Sequence, residues 1–385
     1  LNTGPYNNLT ARKFLLNLDR ARLIEAMEAA AANGATFDLA GGETIAQRVE
    51  TYARVFFDPD FEPMVTCKTP GAYQDILASS ANNLYDGVTM ADLEGFEEKN
   101  QLNSRLVKRD GRLVEDVYKV GGLYDKEIRK IIAHLRDAVP LATAPLARAL
   151  DALITFYETG LDSDRAAFDI AWVQNRDSDV DTMNGFIEVY MDARGMKGAW
   201  EGVVYYANHE KTAKIRALAT HAQWFEDRLP VDPNYRKPKV EGVSAQAIEV
   251  VVEAGDSGPI TPIGVNLPND QRIRETYGSK SVSLSNVLNA YERSMPDSFR
   301  EEFAWDAAEV ERAKTWGAFA SELTTEIHEV LGHGSGRMAD NATVTPQDLL
   351  KEQYSALEET RADLVALYYV ADSYLAEIGL VSAAE

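Results

Sequence analysis

The most constraining feature of this chain is a pair of histidines five positions apart, His328 and His333, in the segment HEVLGH. Two imidazoles and the carboxylate of Glu329 within one short segment are typical of a zinc site. In the common zinc-peptidase pattern, H-E-x-x-H, the histidines are four positions apart and share one face of an α-helix. In a regular helix the second imidazole here would point about 140° away from the first.

The backbone must therefore absorb one extra residue. A single π-type turn widens a helix locally, and such turns are rare and concentrate at functional sites. Gly332 precedes the second histidine, where the absence of a Cβ makes a distorted backbone tolerable. The spacing predicts a π turn between His328 and His333, which would bring both imidazoles to one metal ion.

A catalytic zinc site usually takes three protein ligands and leaves the fourth position to water. The next candidates are the adjacent Glu358 and Glu359, which open a strongly apolar helical segment from Leu364 to Leu375. Neighbouring residues on a helix diverge by about 100°, so only one of the two can face the metal. The other, with Asp363, is placed to accept the free N–H of a ligating histidine and fix its tautomer.

The two motifs, HEVLGH and EETRAD, resemble the paired signature of the dipeptidyl peptidase III family of zinc exopeptidases. The resemblance extends upstream through 58–89, 184–202 and 265–288, and we expect it to cover the whole chain. It implies one zinc ion as cofactor and short peptides with a free amino terminus as substrates.

The resemblance also implies roles for individual residues. The implied zinc ligands are His328, His333 and Glu359. The implied general base is Glu329, and the implied carboxylates behind the ligands are Glu358 and Asp363.

Residues that would hold the peptide are implied upstream. Asn266 and Asn269 match a family segment, NxPN, that holds the backbone of the bound peptide. They flank Pro268, so an ordinary turn is the alternative explanation. Asp181 falls where an acidic residue would meet the substrate's amino group. It ends the acidic run from Asp177, so a solvated loop is an equally good explanation.

The chain also departs from the family pattern. Some members carry a tyrosine two residues before the Gly-Phe of the GFIE segment, where this chain has Met183. Asp363 replaces the more usual glutamate. The family continues well beyond the second zinc motif, so we expect a segment of a longer protein, with its own C-terminal remainder as a partner.

Apolar periodicity predicts a mainly helical chain. The predicted helices are 10–32, 126–135, 143–159, 164–173 and 209–228. The predicted strands are 185–191, 248–253 and 260–265, which are enriched in β-branched and aromatic residues. Proline and glycine predict a connector at 230–238 and a turn at 256–259.

We predict an α+β fold, predominantly helical, with two lobes around a wide cleft. One lobe, 1–201 with 250–295, would contain a small five-stranded β-barrel. The other, 202–249 with 296–385, would be a mainly helical zinc lobe.

We expect a zinc-dependent exopeptidase that releases dipeptides, in which Glu329 takes the proton of the attacking water. A zinc-binding but weakly active relative that holds peptides is the main alternative, motivated by Met183. An endopeptidase of the ordinary H-E-x-x-H type is a more remote one.

Composition limits the partners. The formal charge of −22 would repel a phosphate backbone, so we expect no nucleic-acid partner. No apolar run approaches the ~20 residues that span a bilayer, so we expect no membrane partner. Cys67 is the single cysteine and cannot form an internal disulfide, which favours a cytoplasmic protein unless a leader has been removed.

Overall fold

Helices make up most of the regular secondary structure. The computed structural model describes residues 4–240, 244–258 and 261–382. Within them the α-helices are α1 (Arg20–Ala32), α2 (Ile45–Thr51), α3 (Ala53–Phe57), α4 (Asp125–Ala138), α5 (Ala144–Thr159), α6 (Asp162–Gln174), α7 (His209–Thr220), α8 (Ala222–Glu226), α9 (Gln271–Tyr277), α10 (Ser285–Ser294), α11 (Asp297–Phe303), α12 (Ala307–Ile327), α13 (Pro346–Leu350), α14 (Tyr354–Tyr369) and α15 (Tyr374–Glu377).

The strands are β1 (Tyr85–Asp86), β2 (Ser104–Arg109), β3 (Arg112–Val117), β4 (Val180–Phe186), β5 (Trp200–Asn208), β6 (Ser244–Gly255), β7 (Gly264–Leu267) and β8 (Lys280–Leu284). The fold is therefore α+β and predominantly helical, which confirms the predicted class. Among the helices that the structure describes, none is long and apolar enough to cross a membrane.

The chain divides into two compact units. The first holds the described residues up to Phe96, with Arg105–Val114 and Met191–Arg194, and contains a small apolar core around Leu77 and Leu106. The second holds the rest of the chain. Both predicted lobes have residues in the second unit, so the predicted division into a barrel lobe and a zinc lobe stays a prediction.

A five-stranded sheet lies at the centre of the second unit, in the order β4-β5-β6-β8-β7. Strands β4, β5 and β6 are antiparallel in turn, β6 runs parallel to β8, and β7 pairs antiparallel with β8 at the edge. Side chains of α4, α5 and α6 share a core with this sheet. The strand number matches the expected barrel, and closure into a barrel stays a prediction.

A second core joins the helices of the HEVLGH region. The end of α12 packs with α7, α8, α14 and α15 through residues such as Ile215, Phe225, Ile327, Leu331, Val365 and Tyr369. Residues His328–Gly332 continue α12 as a π turn, in which the His333 amide donates to the His328 carbonyl at 2.9 Å. The predicted π turn is confirmed.

Gly332 is required by packing. Its φ is not in the left-handed region, so backbone freedom does not explain the residue. A Cβ there would lie 2.8 Å from the Ala362 Cα and 2.9 Å from its Cβ. Glycine therefore lets the π turn contact α14 directly, and this contact positions both motifs against each other.

The helix predictions hold best where apolar periodicity is strong. Segments 126–135, 143–159 and 164–173 are confirmed by α4, α5 and α6. The prediction over 10–32 is wrong in its first half, because the Asp19 side chain accepts from the Arg22 amide and caps α1 there. The predicted stop after Ala32 is confirmed.

Two other helix predictions are wrong in their extent. Segment 209–228 is two helices, α7 and α8, which meet at His221, whose ring bonds to the Tyr374 hydroxyl at 2.7 Å. The apolar segment that the sequence extends to Leu375 ends as helix α14 at Tyr369.

The strand predictions are less accurate. Segment 185–191 overlaps β4 only at its start, and β5 and β8 were not predicted. Strand β8 has the sequence KSVSL, which has no apolar pattern that would predict a strand. It is nevertheless buried at every position. Strand β6 contains the predicted 248–253, and β7 begins at Gly264 within the predicted 260–265. Residues 259 and 260 of the predicted turn and strand lie outside the described residues.

Replacing Gly332 by alanine tests the contact between the π turn and α14. We expect Gly332→Ala to lower the free energy of unfolding by about 1–3 kcal/mol, because the added methyl group overpacks against Ala362. Gly317→Ala is the matched control, since a Cβ there meets nothing within 4 Å, and it should be neutral or slightly stabilising. Chemical denaturation measures both, and equal effects of the two variants would contradict the packing role.

Candidate metal centre and active site

The π turn brings two imidazole nitrogens together. The Nε2 atoms of His328 and His333 lie 3.1 Å apart. The Oε2 atom of Glu359, on α14, lies 3.3 Å from the first and 3.6 Å from the second. Three ligands at about 2.0–2.2 Å from one tetrahedral ion are separated by about 3.3–3.6 Å. The two separations from Glu359 lie in this range and the Nε2–Nε2 separation is slightly shorter, so the three atoms can face one ion of the size of zinc.

Carboxylates lie behind both imidazoles. The Nδ1 atom of His328 is 2.8 Å from Asp363 Oδ1, and that of His333 is 2.9 Å from Glu358 Oε1. Each carboxylate can accept the Nδ1–H, which leaves the Nε2 lone pair directed at the metal position. The sequence predicts Glu358 and Asp363 behind the metal ligands, and this role stays a prediction.

Glu358 is held in its charged form. Arg361 donates to both of its oxygens, at 2.6 and 2.9 Å. Burial opposes the charge, but the bonds from His333 and Arg361 outweigh it and hold the pKa of Glu358 below its usual range. Glu358 is therefore a permanent acceptor for the imidazole that it orients.

Glu329 is different, because it is buried and forms no ion pair with the residues that the structure describes. Its side chain is 6% exposed, and within the described part of the chain its Oε2 has no hydrogen-bond partner. A carboxylate oxygen of Glu329 lies within 4.8 Å of ligand atoms of both histidines. Burial raises the pKa of Glu329 to about 7, although the nearby imidazoles oppose this. The group can therefore gain or lose a proton near neutral pH.

Gly264 makes room for this carboxylate. A Cβ at Gly264, in the edge strand β7, would lie 2.6 Å from the Glu329 Cγ and 2.7 Å from its Cδ. Any other residue there would displace the Glu329 side chain.

These residues line a cavity of about 930 Å³ in the second unit. Its wall includes the two histidines, Glu329, Glu358, Glu359 and Asp363, together with Glu188, Tyr190 and Asn269. The volume is in the range of sites that bind small organic ligands.

Glu188 and Tyr190 also lie on the cavity wall, and the sequence motifs did not predict them. The Tyr190 hydroxyl donates to Glu359 Oε1 at 2.7 Å, leaving Oε2 toward the histidines, and burial raises the pKa of Tyr190. The carboxylate of Glu188 lies 3.5 Å from the Asn269 amide nitrogen, and burial raises its pKa to about 7. The available signal was their position in the GFIEVY segment, directly after β4.

Asn266 is bound inside the protein. Its Nδ2 donates to the Glu329 carbonyl at 3.2 Å, and its Oδ1 accepts from Arg274 Nη2 at 2.7 Å. Arg274 Nη2 also donates to the His333 carbonyl at 2.7 Å. Asn266 therefore connects β7 to the π turn by a hydrogen bond. Its contact with a bound peptide stays a prediction.

The structure does not bring Asp181 to the cavity. Asp181 is 4% exposed and accepts from Lys280 at 2.7 Å and from Asn175 at 3.0 Å. It is absent from the described residues that line the cavity wall. Met183 is likewise buried, in the core between the sheet and its helices. The residue that differs from the family tyrosine therefore packs away from the candidate site.

Comparison with known proteins shows which family this chain resembles. Residues 66–347 match the model of Peptidase family M49. The chain is 32% identical over 234 residues to dipeptidyl peptidase 3 of Dictyostelium discoideum. That match covers 60% of this chain and 32% of the other protein, so the chain spans about a third of the length of this curated relative.

Two solved structures share the fold. The dipeptidyl-peptidase III of Corallococcus sp. strain EGB is similar with a TM-score of 0.67 at 26% identity, over 78% of this chain and 57% of that chain. The DPP III of Caldithrix abyssi is similar with a TM-score of 0.66 at 22% identity, over 94% of this chain and 68% of that chain.

Binding of a metal ion at this site should release protons at pH 7. Burial disfavours a charged His333, but hydrogen bonds with Glu358 and Glu359 outweigh it and raise its pKa to about 9. A metal ion binds the neutral imidazole. Below about pH 9 the His333 imidazole is mostly protonated, so binding must displace its proton. The number of protons released declines as the pH rises through about 9.

Calorimetric titration with zinc in two buffers of different ionisation enthalpy measures this release. His333→Ala should lose high-affinity binding, whereas His134→Ala, an exposed histidine on α4, should retain both binding and release. Buffer-independent heats at pH 7 would show that His333 is already neutral.

Proposed function

The chain belongs to peptidase family M49, and from this membership and the site geometry we propose that it is a zinc-dependent exopeptidase. It releases dipeptides from the amino terminus of short peptides. The observation that carries the proposal is the triangle of His328, His333 and Glu359 donor atoms, 3.1–3.6 Å apart, beside a buried Glu329 whose Oε2 has no hydrogen-bond partner among the described residues.

One zinc ion is the proposed cofactor, because two imidazole nitrogens and one carboxylate oxygen are a donor set that zinc prefers in hydrolases. When bound, zinc polarises a carbonyl and lowers the pKa of water. His328, His333 and Glu359 hold the ion, and Asp363 and Glu358 fix the two imidazoles. Tyr190 holds the free oxygen of Glu359 and limits its rotation.

Glu329 is the proposed general base. It takes a proton from the attacking water and passes it to the amine that leaves. Burial raises the pKa of Glu329 to about 7 in the metal-free site, and a raised pKa helps the carboxylate to accept a proton. Gly264 leaves the space that this side chain fills.

Glu188 with Asn269 is the proposed anchor for the amino group of the substrate. Glu188 lines the same cavity as the metal centre and contacts Asn269. A buried carboxylate binds an ammonium group strongly, because the ion pair forms where water does not screen it. Asp181, which the resemblance implied for this role, has Lys280 as its partner instead.

The edge strand β7 supports binding of an extended peptide. Gly264, Val265 and Asn266 line the cavity, and β7 has a sheet partner, β8, on one side. A peptide can add along the other side through main-chain hydrogen bonds, which do not depend on its side chains. The amino anchor would then set the cleavage position, and broad sequence specificity would follow.

Replacing the general base tests the reaction. We expect Glu329→Gln to lower hydrolysis of a dipeptidyl-naphthylamide by about 10²–10⁴-fold, because the amide of glutamine cannot take the proton of the water. One bound zinc per chain should remain. Glu302→Gln, on the exposed face of α11, is the control for the same change of charge and should be active. A zinc-loaded wild type without hydrolysis would instead favour a peptide-binding relative.

Replacing the anchor tests the exopeptidase assignment. We expect Glu188→Gln to raise KM for peptides with a free amino group more than it lowers kcat, because it removes ground-state binding. Acetylation of the peptide should abolish cleavage by the wild type. Glu127→Gln, on α4, is the control with the same charge change. Cleavage of long acetylated peptides at internal bonds would support an endopeptidase.

A further inference from the structure

The segment between the two histidine and glutamate motifs is held in place by few contacts. None of residues 335–353, all of which the structure describes, is buried. The segment contains the short helix α13, whose first turn is closed by reciprocal hydrogen bonds between Thr345 and Asp348. Because no apolar core fixes this segment, its position depends on single hydrogen bonds to other parts of the chain.

Gln347 makes such a bond. Its Nε2 donates to the carbonyl of Asn269 at 3.2 Å. Within residues 341–353, all of which are described, this is the only side-chain hydrogen bond to a residue outside that range. Gln347 also lines the cavity that contains the candidate metal centre, as do Thr345 and Asp348. Gln347 therefore joins the segment to the cavity wall at Asn269.

Asn269 is held on both sides. Its carbonyl accepts from Gln347, and the next residue, Asp270, caps α9 by accepting from the Arg272 amide at 2.8 Å. The side-chain amide of Asn269 lies 3.5 Å from both carboxylate oxygens of Glu188. Burial raises the pKa of Glu188 to about 7, and the Asn269 amide opposes this rise. Asn269 therefore favours the charged form of Glu188, which is the form that binds an ammonium group.

The segment is continuous at both ends with the elements of the candidate metal centre. It follows the π turn that precedes His333, and it leads into α14, which carries Glu359. The bond from Gln347 to Asn269 therefore links the Glu188 side of the cavity to both of these elements. In an exopeptidase, the distance between the amino anchor and the metal position sets how many residues are released.

We propose that Gln347 is a positioning residue for the amino group of the substrate. The inference rests on the proposed function, because it takes Glu188 with Asn269 as the amino anchor. Gln347 fixes the backbone of Asn269 and thereby the amide that faces Glu188. A mobile anchor would lose part of its binding free energy to the ordering of its own side chains, so an anchor ordered in advance binds the ammonium group more tightly.

Calorimetric titration of the zinc-loaded protein with two matched ligands tests this role. One ligand is a dipeptidyl hydroxamate with a free amino group, and the other is its des-amino analogue, in which hydrogen replaces that group. Methionine has the length of glutamine but no hydrogen-bond donor. We expect Gln347→Met to raise Kd for the free-amino ligand about 3–10-fold, which corresponds to one hydrogen bond. Kd for the des-amino analogue and the zinc stoichiometry should not change.

Gln353→Met is the matched control. Gln353 is an exposed glutamine of the same segment, and its side chain makes no capping hydrogen bond to α14. This variant should leave both affinities unchanged.

A double-mutant cycle tests whether Gln347 acts through Asn269. Asn269→Ala should weaken binding of the free-amino ligand, and adding Gln347→Met should weaken it no further. Additive effects of the two substitutions would overturn the inference. Equal weakening of both ligands by Gln347→Met, or no weakening of either, would overturn it too.

Hydrolysis of a dipeptidyl-naphthylamide is measured separately, so that the two proposals can fail independently. A wild type that discriminates between the two hydroxamates without hydrolysing the naphthylamide would remove the proposed function, and the cycle would still support the role of Gln347. Hydrolysis together with a negative cycle would remove only the role of Gln347.

Discussion

The hydrogen bond from the His333 amide to the His328 carbonyl, which spans five residues instead of four, is the interaction on which the candidate site depends. It rotates His333 onto the same side as His328 and brings their Nε2 atoms to 3.1 Å. A regular turn would direct the two rings about 140° apart. Asn266 and Arg274 bind carbonyls of this turn, and Gly332 lets it touch α14. The distorted turn is therefore supported from the sheet and from the helix that carries Glu359.

Charge at the site is controlled by the partners of each carboxylate. Glu358 and Glu329 are both largely buried, yet their pKa values shift in opposite directions. Glu358 accepts from Arg361 and faces His333, so it stays ionised and orients an imidazole. Glu329 lacks such a donor for one oxygen and titrates near neutral pH. Identical side chains therefore supply a fixed acceptor and a group that can exchange a proton, which the proposed general-base hydrolysis requires.

The fold was predictable where the spacing of apolar residues along the sequence matches the buried face of a helix. Helices α4, α5 and α6 bury one apolar face, and their sequences show it. Strand β8 is buried although it contains a lysine and two serines, because Lys280 pairs with Asp181 in the interior. Such long-range pairing leaves no local pattern, so this strand was missed. Helix α1 begins at a local cap that outweighs the periodicity before Asp19.

The sequence by itself determined the metal-binding motif and its distortion, because two histidines at this spacing can share an ion in few backbone conformations. The sequence also limited the candidate carboxylates around the two histidines to Glu358, Glu359 and Asp363, because one short segment contains all three. Only the tertiary structure decided which imidazole nitrogen each carboxylate faces. Glu359 lies near both Nε2 atoms, whereas Asp363 contacts the Nδ1 atom of His328 and Glu358 contacts that of His333. The tertiary structure likewise placed Glu188, and not Asp181, on the cavity wall. The physical reason is that these contacts join residues far apart in the chain, and the packing of sheet and helices sets their distances.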